Sequence, residues 1–390
     1  MKKYKIIIFD GSFKTTTFIN RLVEGLSANN DLYIIGFNEE ISVKVESVNY
    51  IGLGSNDSKL LFVKRAVQLR GYNFLKQIQL IRNLLKGNKK QIQQENLQLA
   101  IHAIQPDILH FQWVSVLSYY DQLILPSHTK TILSQRGFHI NVRPFIDEEN
   151  QNFLKNIFSK IDGFHSVSNA IRQNSNEIYK SYNKIDEVVY SGFDYKKIPV
   201  KTNSEFSEVI QIISIGRNHW IKDYKTAIKA MALLKNNNIK FHYTIIGVKE
   251  DEELLYLVSD LNLKENISFI SSVSQEKVFD KMIISDLFLL PSIEEGIANV
   301  CIEAMFCKLP VLSTNCGGMK ELVEEGITGF IVPTRSPELM ASKIEDIKGM
   351  YSNQIDAITQ KAREKVVQQH NTQKMVTDME ALYKKVYEND

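Results

Sequence analysis

Short runs of β-branched and other apolar residues alternate along this chain with longer stretches whose apolar positions recur every three or four residues. In the N-terminal half the runs Lys5–Phe9, Leu32–Gly36, Ile108–Phe111, Thr131–Ser134, Gly163–Val167 and Val188–Tyr190 predict strands. Phe18, Leu22 and Leu26 are spaced for one face of an intervening helix. The rhythm fades over Tyr195 to Ser207 (YKKIPVKTNSEFS), which reads as a linker. It restarts with predicted strands at Val209–Ile215, Phe241–Ile246, Ile267–Ile270, Leu287–Leu290, Val311–Ser313 and Phe330–Val332. Ala227, Ala230, Met231 and Leu234 mark a helix face between two of them. From about Asn371, Met375, Met379, Leu382 and Val386 share the apolar face of a last helix.

Strand and helix in strict alternation build parallel sheets covered on both faces. The expected fold class is α/β: two doubly wound Rossmann-like domains facing across a cleft, with ligands beyond the carboxyl ends of the strands. The expected boundaries are 1–195 for the first domain and 208–370 for the second. Residues 371–390 form a closing helix that can return to the first domain. A length of 390 residues fits two domains.

Composition narrows the function classes. Apolar residues make up 44% of the chain, as in globular proteins, and the net charge of +2 gives no general affinity for polyanions such as nucleic acid. The apolar run Tyr4 to Phe9 is too short for a signal peptide, and nothing approaches a membrane-spanning length. Cys301, Cys307 and Cys316 match no common zinc spacing and read as small buried hydrophobes of a reduced cytoplasm. The expected location is cytoplasmic.

The densest chemistry lies in Pro291 to Gly318, PSIEEGIANVCIEAMFCKLPVLSTNCGG. A buried strand ends at Pro291-Ser292, two acids and Gly296 follow, and Asn299 can cap the helix that comes next. A strand, a glycine turn and a helix N-terminus together suit a phosphate, because free N–H groups and the helix dipole point at it. Glu295 and Glu303 stand eight residues apart. A carboxylate can bind a vicinal diol of a sugar or ribose; in isolation each is equally read as a surface acid. A second candidate follows strand Val209–Ile215, where Gly216-Arg217 leads to Lys222-Asp223. Gly216 makes the turn, Asp223 can cap the next helix, and Arg217 and Lys222 can converge on one anion. The plain alternative is a surface turn with two ordinary cations.

The E-x7-E pair Glu295 and Glu303, set in the frame P-S, E-G, E-A-M, K-L-P-V-L-S-T and C-G-G, resembles the donor site of the family-4 retaining glycosyltransferases, which have the GT-B fold. The resemblance implies that Glu295 touches the donor sugar's hydroxyls, that Glu303 holds the ribose, and that the backbone of Gly296, Ile297, Ala298, Asn299 and Val300 faces the diphosphate. The turn at Gly216 and Arg217 with Lys222 is similar to the family's glycine-arginine turn and lysine, with Asp223 where a glycine is usual. Gly247 resembles the glycine at the end of the family's next strand, where backbone approaches the nucleotide. Fixed cations and helix N–H groups would stabilise a departing diphosphate, so no cofactor and no metal is expected; the chain contains no D-x-D motif. The base pocket is expected near Phe269 to Ser274.

The resemblance thins in the N-terminal half. Pro106-Asp107-Ile108-Leu109-His110 resembles a P-D-x-x-H strand, and His110 is either an acceptor-side group or a histidine packed in a polar corner. In Ser134 to His139 (SQRGFH) Arg136 precedes the glycine where many relatives read H-G, and His139 holds the later position where they carry a polar residue or Asp. Arg136 can bind a phosphate or carboxylate, and His139 can bond a hydroxyl or relay a proton; both can also be structural loop residues. Gly11 and Ser12, after the first strand, are acceptor-side candidates. The nearby G-x-x-K-T of residues 11–15 lacks the second glycine of a phosphate loop.

Ser58 to Gln94 holds nine Lys or Arg residues and no acid, mixed with Leu, Phe, Ile and Val. This is either a solvated helical pair or a basic, partly apolar face for an anionic membrane surface. The expected function is transfer of a hexose-type sugar, with retention, from a nucleotide-diphosphate donor to a glycan or lipid-linked acceptor. A catalytically silent sugar-nucleotide-binding partner and a GT-B nucleotide-sugar epimerase are the alternatives.

Overall fold

The computed structural model describes residues 2–13, 16–37, 41, 43–180, 182–196 and 198–389. Lys14 and Thr15, the end of the G-x-x-K-T string, and Lys197 of the polar stretch after Tyr195 lie outside the described residues. The chain divides into two compact units. The first holds residues 1–167, 171–193 and 372–390; the second holds 168–170 and 194–371.

The first unit is built on seven parallel strands: β1 (Lys5–Gly11), β2 (Asp31–Gly36), β3 (Asn49–Gly52), β4 (Ile108–Phe111), β5 (Lys130–Gln135), β6 (Gly163–Ser166) and β7 (Ile185–Val188). Their order is β3-β2-β1-β4-β5-β6-β7. Side chains alternate between the faces. Ile7, Phe9, Leu109, Phe111 and Leu133 pack on one side with the helix Lys89–Ile104. Ile6, Ile8, Ile108 and Ile132 pack on the other, with helices Thr17–Ser27 and Thr372–Glu388. Both faces are covered, as a parallel sheet requires.

The last helix is held closely in this unit. Met375, Met379, Leu382 and Val386 are all buried in it. A Cβ on Gly25 would stand 2.2 Å from Val376 Cγ2, and one on Gly163 would stand 2.4 Å from Val386 Cγ2. Both positions need glycine for room rather than for backbone freedom.

The second unit has six parallel strands: β8 (Ile210–Ile215), β9 (Phe241–Ile246), β10 (Ile267–Ile270), β11 (Leu287–Leu290), β12 (Val311–Thr314) and β13 (Phe330–Val332). The order is β10-β9-β8-β11-β12-β13. Ala227, Met231 and Leu234 of helix Tyr224–Asn236 pack with Met340, Ile344 and Ile347 of helix Pro337–Lys348 over Ile212, Tyr243 and Leu289. The stretch read as a linker is fastened to this unit. Tyr195 stacks on Phe306 and donates its hydroxyl to the carbonyls of Val366 and His370. Lys201 donates to the Ser285 carbonyl and pairs with buried Asp286.

Two strand expectations change. β3 is an additional edge strand, four residues long and only half apolar. β7 falls three residues earlier than Val188–Tyr190, because Ile185–Val188 pairs with β6 in register.

A polar seam runs through the first unit between its sheet and the last helix. His110 Nδ1 lies 2.8 Å from Tyr383 Oη, and Nε2 lies 2.8 Å from Ser134 Oγ. Ser134 Oγ is 2.7 Å from His165 Nδ1, and His165 Nε2 is 2.9 Å from the Val189 carbonyl. A carbonyl can only accept, and this fixes the direction of every bond. His165 Nε2–H donates to Val189, Ser134 donates to His165 Nδ1, His110 Nε2–H donates to Ser134, and Tyr383 donates to His110 Nδ1. Burial first, then the neighbouring ring and Arg136, holds His110 well below the usual histidine range. Burial first, then Arg136, lowers His165 to about 3. Both rings are neutral.

Replacing Tyr383 by Phe leaves His110 Nδ1 without its donor in a dry site. The expected loss is about 1–3 kcal/mol, read by denaturant unfolding; an unchanged midpoint would remove the seam from the account. The pH dependence also has a definite sign. Below the unfolded value of 6.5 the unfolded chain gains two protons that folded His110 and His165 refuse. Their contribution is therefore complete above 6.5 and lost as pH falls. Asp10, raised by burial to about 6, acts in the opposite direction with one proton. Tm is expected to fall as pH drops below 6.5, and a rise would contradict the seam.

Candidate active site

In each unit the strand order reverses beside its first strand, between β1 and β4 and between β8 and β11. Loops leaving the carboxyl ends part there, which is where ligands of open α/β sheets bind. The reversal in the second unit gathers the residues singled out in the sequence.

Gly216 follows β8 directly, its N–H bonded to the Ile246 carbonyl at 2.9 Å. Tyr224 donates its hydroxyl to the Gly216 carbonyl at 3.0 Å. Gly247 takes φ +96°, and a Cβ there would stand 2.5 Å from the Gly216 carbonyl oxygen. The close approach expected of Gly247 is thus made to the Gly216 turn itself. Trp220–Lys222 forms one short 3-10 turn, and Asp223 caps helix Tyr224–Asn236 through the Thr226 N–H. This capping matches expectation, at the left-handed φ of +47°.

The loop after β11 meets this turn. The Ile293 N–H donates to the Ile221 carbonyl at 2.8 Å. Lys222 Nζ donates to Glu295 Oε1 at 2.5 Å, with the two side chains 16% and 15% exposed. Ser292 Oγ donates to the same oxygen at 2.8 Å. Ser292 is fixed in turn by the Thr314 hydroxyl on its carbonyl. Lys222 therefore faces Glu295 directly, and no spacing in the sequence foretold that pairing. Arg217 is exposed at the end of β8. It and Lys222 add to burial in lowering the pKa of His219.

Helix Asn299–Phe306 begins one residue earlier than a cap at Asn299 would place it. Ala298 is the cap residue, with no side-chain bond, and Asn299 is the first helical residue. The Ala298 N–H donates to Met319 Sδ at 3.4 Å. The next amides, Asn299 and Val300, are among the first N–H groups of the helix, which lack partners within it. Glu303 is buried and accepts from Gln275 Nε2 at 2.9 Å. Gln275 opens helix Gln275–Ile284, directly after the Phe269 to Ser274 segment expected near the base. Ser292 and Gln275 are site residues that the sequence did not announce; only Ser292 lay in a quoted motif.

The paired glycines after β12 explain themselves. A Cβ on Gly317, at φ +45°, would stand 1.8 Å from the Glu295 carbonyl oxygen, and one on Gly318 2.0 Å from that of Gly296. The Gly318 N–H also donates to the Glu295 carbonyl at 3.2 Å. The Gly296 and Glu295 backbone is thus clamped from below. The three cysteines are buried and unbridged; burial raises the thiol pKa of each.

The acceptor-side candidates all lie in the first unit. Gly11 closes β1 at φ +88°, and a Cβ there would stand 3.0 Å from Val116 Cγ1. The Ser12 N–H donates to Asp10 Oδ1 at 2.8 Å. Arg136 follows β5 and is half-buried, its guanidinium 4.3 Å from the Phe18 ring centroid and 5.7 Å from that of Trp113. Its Nη2 donates to Gln112 Oε1 at 3.2 Å, and burial lowers its pKa to about 9, so it stays a cation. His139 sits in the short helix Phe138–Asn141, edge-on to Phe138. His110 is the correction here. It is fully buried with both ring nitrogens engaged in the seam, so the polar-corner alternative describes it and an acceptor-side role does not.

Of the two Rossmann-like units, the second carries a cationic turn, a facing acid and a helix N-terminus at its switch point. Residues 197–365 match the model of the family "Glycosyl transferases group 1". It is 26% identical over 298 residues to N-acetyl-alpha-D-glucosaminyl L-malate synthase of Bacillus anthracis, covering 73% of this chain and 76% of that one. It is 31% identical over 171 residues to a putative colanic acid biosynthesis glycosyltransferase of Salmonella typhimurium, 42% of each chain. The chain thus spans less than half the length of that second relative. The crystal structure of Anabaena HepE in complex with UDP and glucose superposes with a TM-score of 0.73 at 15% identity, covering 98% of this chain and 100% of that one. That likeness shows the same GT-B fold.

The clamp on the Glu295 loop is testable. Gly317→Ala is expected to destabilise the protein by about 1–3 kcal/mol or more, because the backbone is left-handed and the methyl group meets a carbonyl. An unchanged Tm in differential scanning calorimetry would show that the loop can move aside at no cost.

Proposed function

We propose that this protein transfers a sugar from a nucleotide-diphosphate donor to a hydroxyl of a glycan or lipid-linked acceptor, with retention of anomeric configuration and without a divalent metal. The observation that carries the reading is the Lys222–Glu295 contact at the β8/β11 reversal, beside the N-terminus of helix Asn299–Phe306. It joins a diphosphate-sized group of donors to a carboxylate suited to sugar hydroxyls. That HepE was crystallised with UDP and glucose supports a donor of this chemistry.

The proposed roles follow the geometry. Arg217, Lys222 and the amides from Gly296 to Val300 bind the diphosphate, and Gly216 and Gly247 shape the turn that admits it. Glu303 holds the ribose, positioned by Gln275, and Glu295 orients the sugar. As the bond from the anomeric carbon to the phosphate oxygen breaks, its electron pair stays on the diphosphate. Charge grows there, where Arg217, Lys222 and the helix amides can stabilise it without a metal. The acceptor oxygen bonds to the anomeric carbon on the face the diphosphate leaves, and its proton passes to the departing phosphate oxygen. On the acceptor side Arg136 is placed to bind an anionic group and His139 a hydroxyl. A lipid-linked acceptor would be met at the inner face of the cell membrane, by a cytoplasmic enzyme, through residues 58–94.

Incubation with UDP- and GDP-sugars and an acceptor panel should release nucleoside diphosphate. Glu295→Gln and Lys222→Ala are each expected to lower that turnover at least about a hundredfold, the scale of one lost transition-state contact. A rate like that of the unmodified protein in either variant would end the assignment of that residue.

A further inference from the structure

Helix Lys59–Arg70 reaches the β1–β7 core through Leu69, and helix Phe74–Leu85 contributes no residue to it. With helix Lys89–Ile104 they share a small cluster of their own, formed by Phe62, Ala66, Leu80 and Ile92. Helix Phe74–Leu85 gives buried Leu80 and half-buried Leu84 to that cluster. Its other apolar residues face outward: Phe74 is 74% exposed, Ile81 56% and Leu85 84%, with Ile78 also exposed. These four recur at helical spacing and form one continuous stripe along the helix. Leu75 lies beside the stripe, and Tyr72, in the turn between the helices, is fully exposed. Leu60 and Val67 extend the apolar surface onto the first helix.

An amphipathic helix in a globular domain buries its apolar face. This one presents that face to solvent, and the charges around it carry one sign. Lys76, Arg82 and Lys86 are exposed on or just after the same helix, and Lys59 and Lys64 on its neighbour. No acid occurs between Ser58 and Gln94. Arg70 is neutralised by Glu95 at 2.5 Å and fixed to Asn96, so it fastens the first helix to Lys89–Ile104 rather than adding to the outer charge. A second protein chain would need acids facing these cations and an apolar groove for the stripe. A bilayer with anionic headgroups supplies both requirements at once: phosphates for the cations and acyl chains for Phe74, Ile78, Ile81 and Leu85. Among the described residues no helix is long and apolar enough to cross a membrane, so contact of this kind lies in the interface plane.

We propose that Lys59–Leu85 is an interfacial anchor that inserts the Phe74/Ile78/Ile81/Leu85 stripe into an anionic lipid surface, with Lys76, Arg82 and Lys86 at headgroup level. The inference sharpens the lipid-linked reading of the acceptor, yet its test does not depend on sugar transfer. The full-length protein is floated with phosphatidylcholine vesicles with and without phosphatidylglycerol, at low and high salt. Binding is expected only with phosphatidylglycerol, and raising the salt should weaken it without abolishing it, because the apolar part is not screened. The combined Phe74→Ser, Ile78→Ser and Ile81→Ser variant should bind at least about tenfold more weakly, since each apolar side chain contributes through buried area. Lys76→Glu, Arg82→Glu and Lys86→Glu together should remove the preference for phosphatidylglycerol. Circular dichroism and nucleoside diphosphate release with a soluble acceptor should be unchanged in both variants.

No flotation with either vesicle would overturn the proposal. So would a concentration-dependent dimer, seen by sedimentation and lost in the serine variant, because the stripe would then be covered by a second copy. Failed flotation with intact turnover retires the anchor alone. Flotation without turnover retires the transferase reading and leaves the anchor standing.

Discussion

A parallel sheet returns every crossover to the same end, so the carboxyl ends of its strands collect the loops that can carry chemistry. Where the strand order reverses, adjacent loops run off in opposite directions and leave backbone and side chains free to face a ligand. The second unit reverses between β8 and β11, and everything argued about the donor rests on that reversal. It brings Lys222 against Glu295, 73 positions further along the chain. It also sets the start of helix Asn299–Phe306 beside them. The glycines of this region serve the same arrangement, Gly247 beneath the Gly216 turn and Gly317 and Gly318 beneath the Glu295 loop.

The electrostatics of the pair decide how substitutions are to be read. Both side chains are mostly shielded from water, so removing one leaves the other poorly compensated. Lys222→Ala therefore combines loss of the proposed diphosphate contact with an uncompensated charge on Glu295. Glu295→Gln keeps the shape of the side chain and an oxygen for Ser292. Of the two, the glutamine variant separates chemistry from structure more cleanly. In the first unit the logic is reversed, since His110, Ser134, His165 and Tyr383 form a closed chain of neutral groups that has no capacity left for a substrate.

The sequence was legible where one local signal sufficed. Ile6 to Phe9 and Leu287 to Leu290 are unbroken apolar runs, and both are central strands. Asp223 announces a cap and provides one. The Pro291 to Gly318 frame announced a loop followed by a helix, though the cap fell on Ala298 rather than Asn299. What stayed hidden was tertiary. β3, NYIG, has no run to read because an edge strand needs burial on fewer sides. Gln275 on Glu303 and Gln112 on Arg136 join residues that no local pattern connects. The nine cations of 58–94 were visible from the start, but a solvated pair of helices and a membrane face share the same letters. The outward direction of Phe74, Ile81 and Leu85, which the letters do not show, is what favours the proposed membrane face.

The central claim is that the second unit holds a diphosphate between the Gly216–Lys222 turn and the helix beginning at Asn299. Isothermal titration calorimetry with UDP and GDP beside uridine and guanosine tests it most directly. One diphosphate should bind with its nucleoside at least about a hundredfold weaker, the loss expected when charge-assisted phosphate contacts are removed. Equal affinity for diphosphate and nucleoside, or no binding of either diphosphate, would contradict the account.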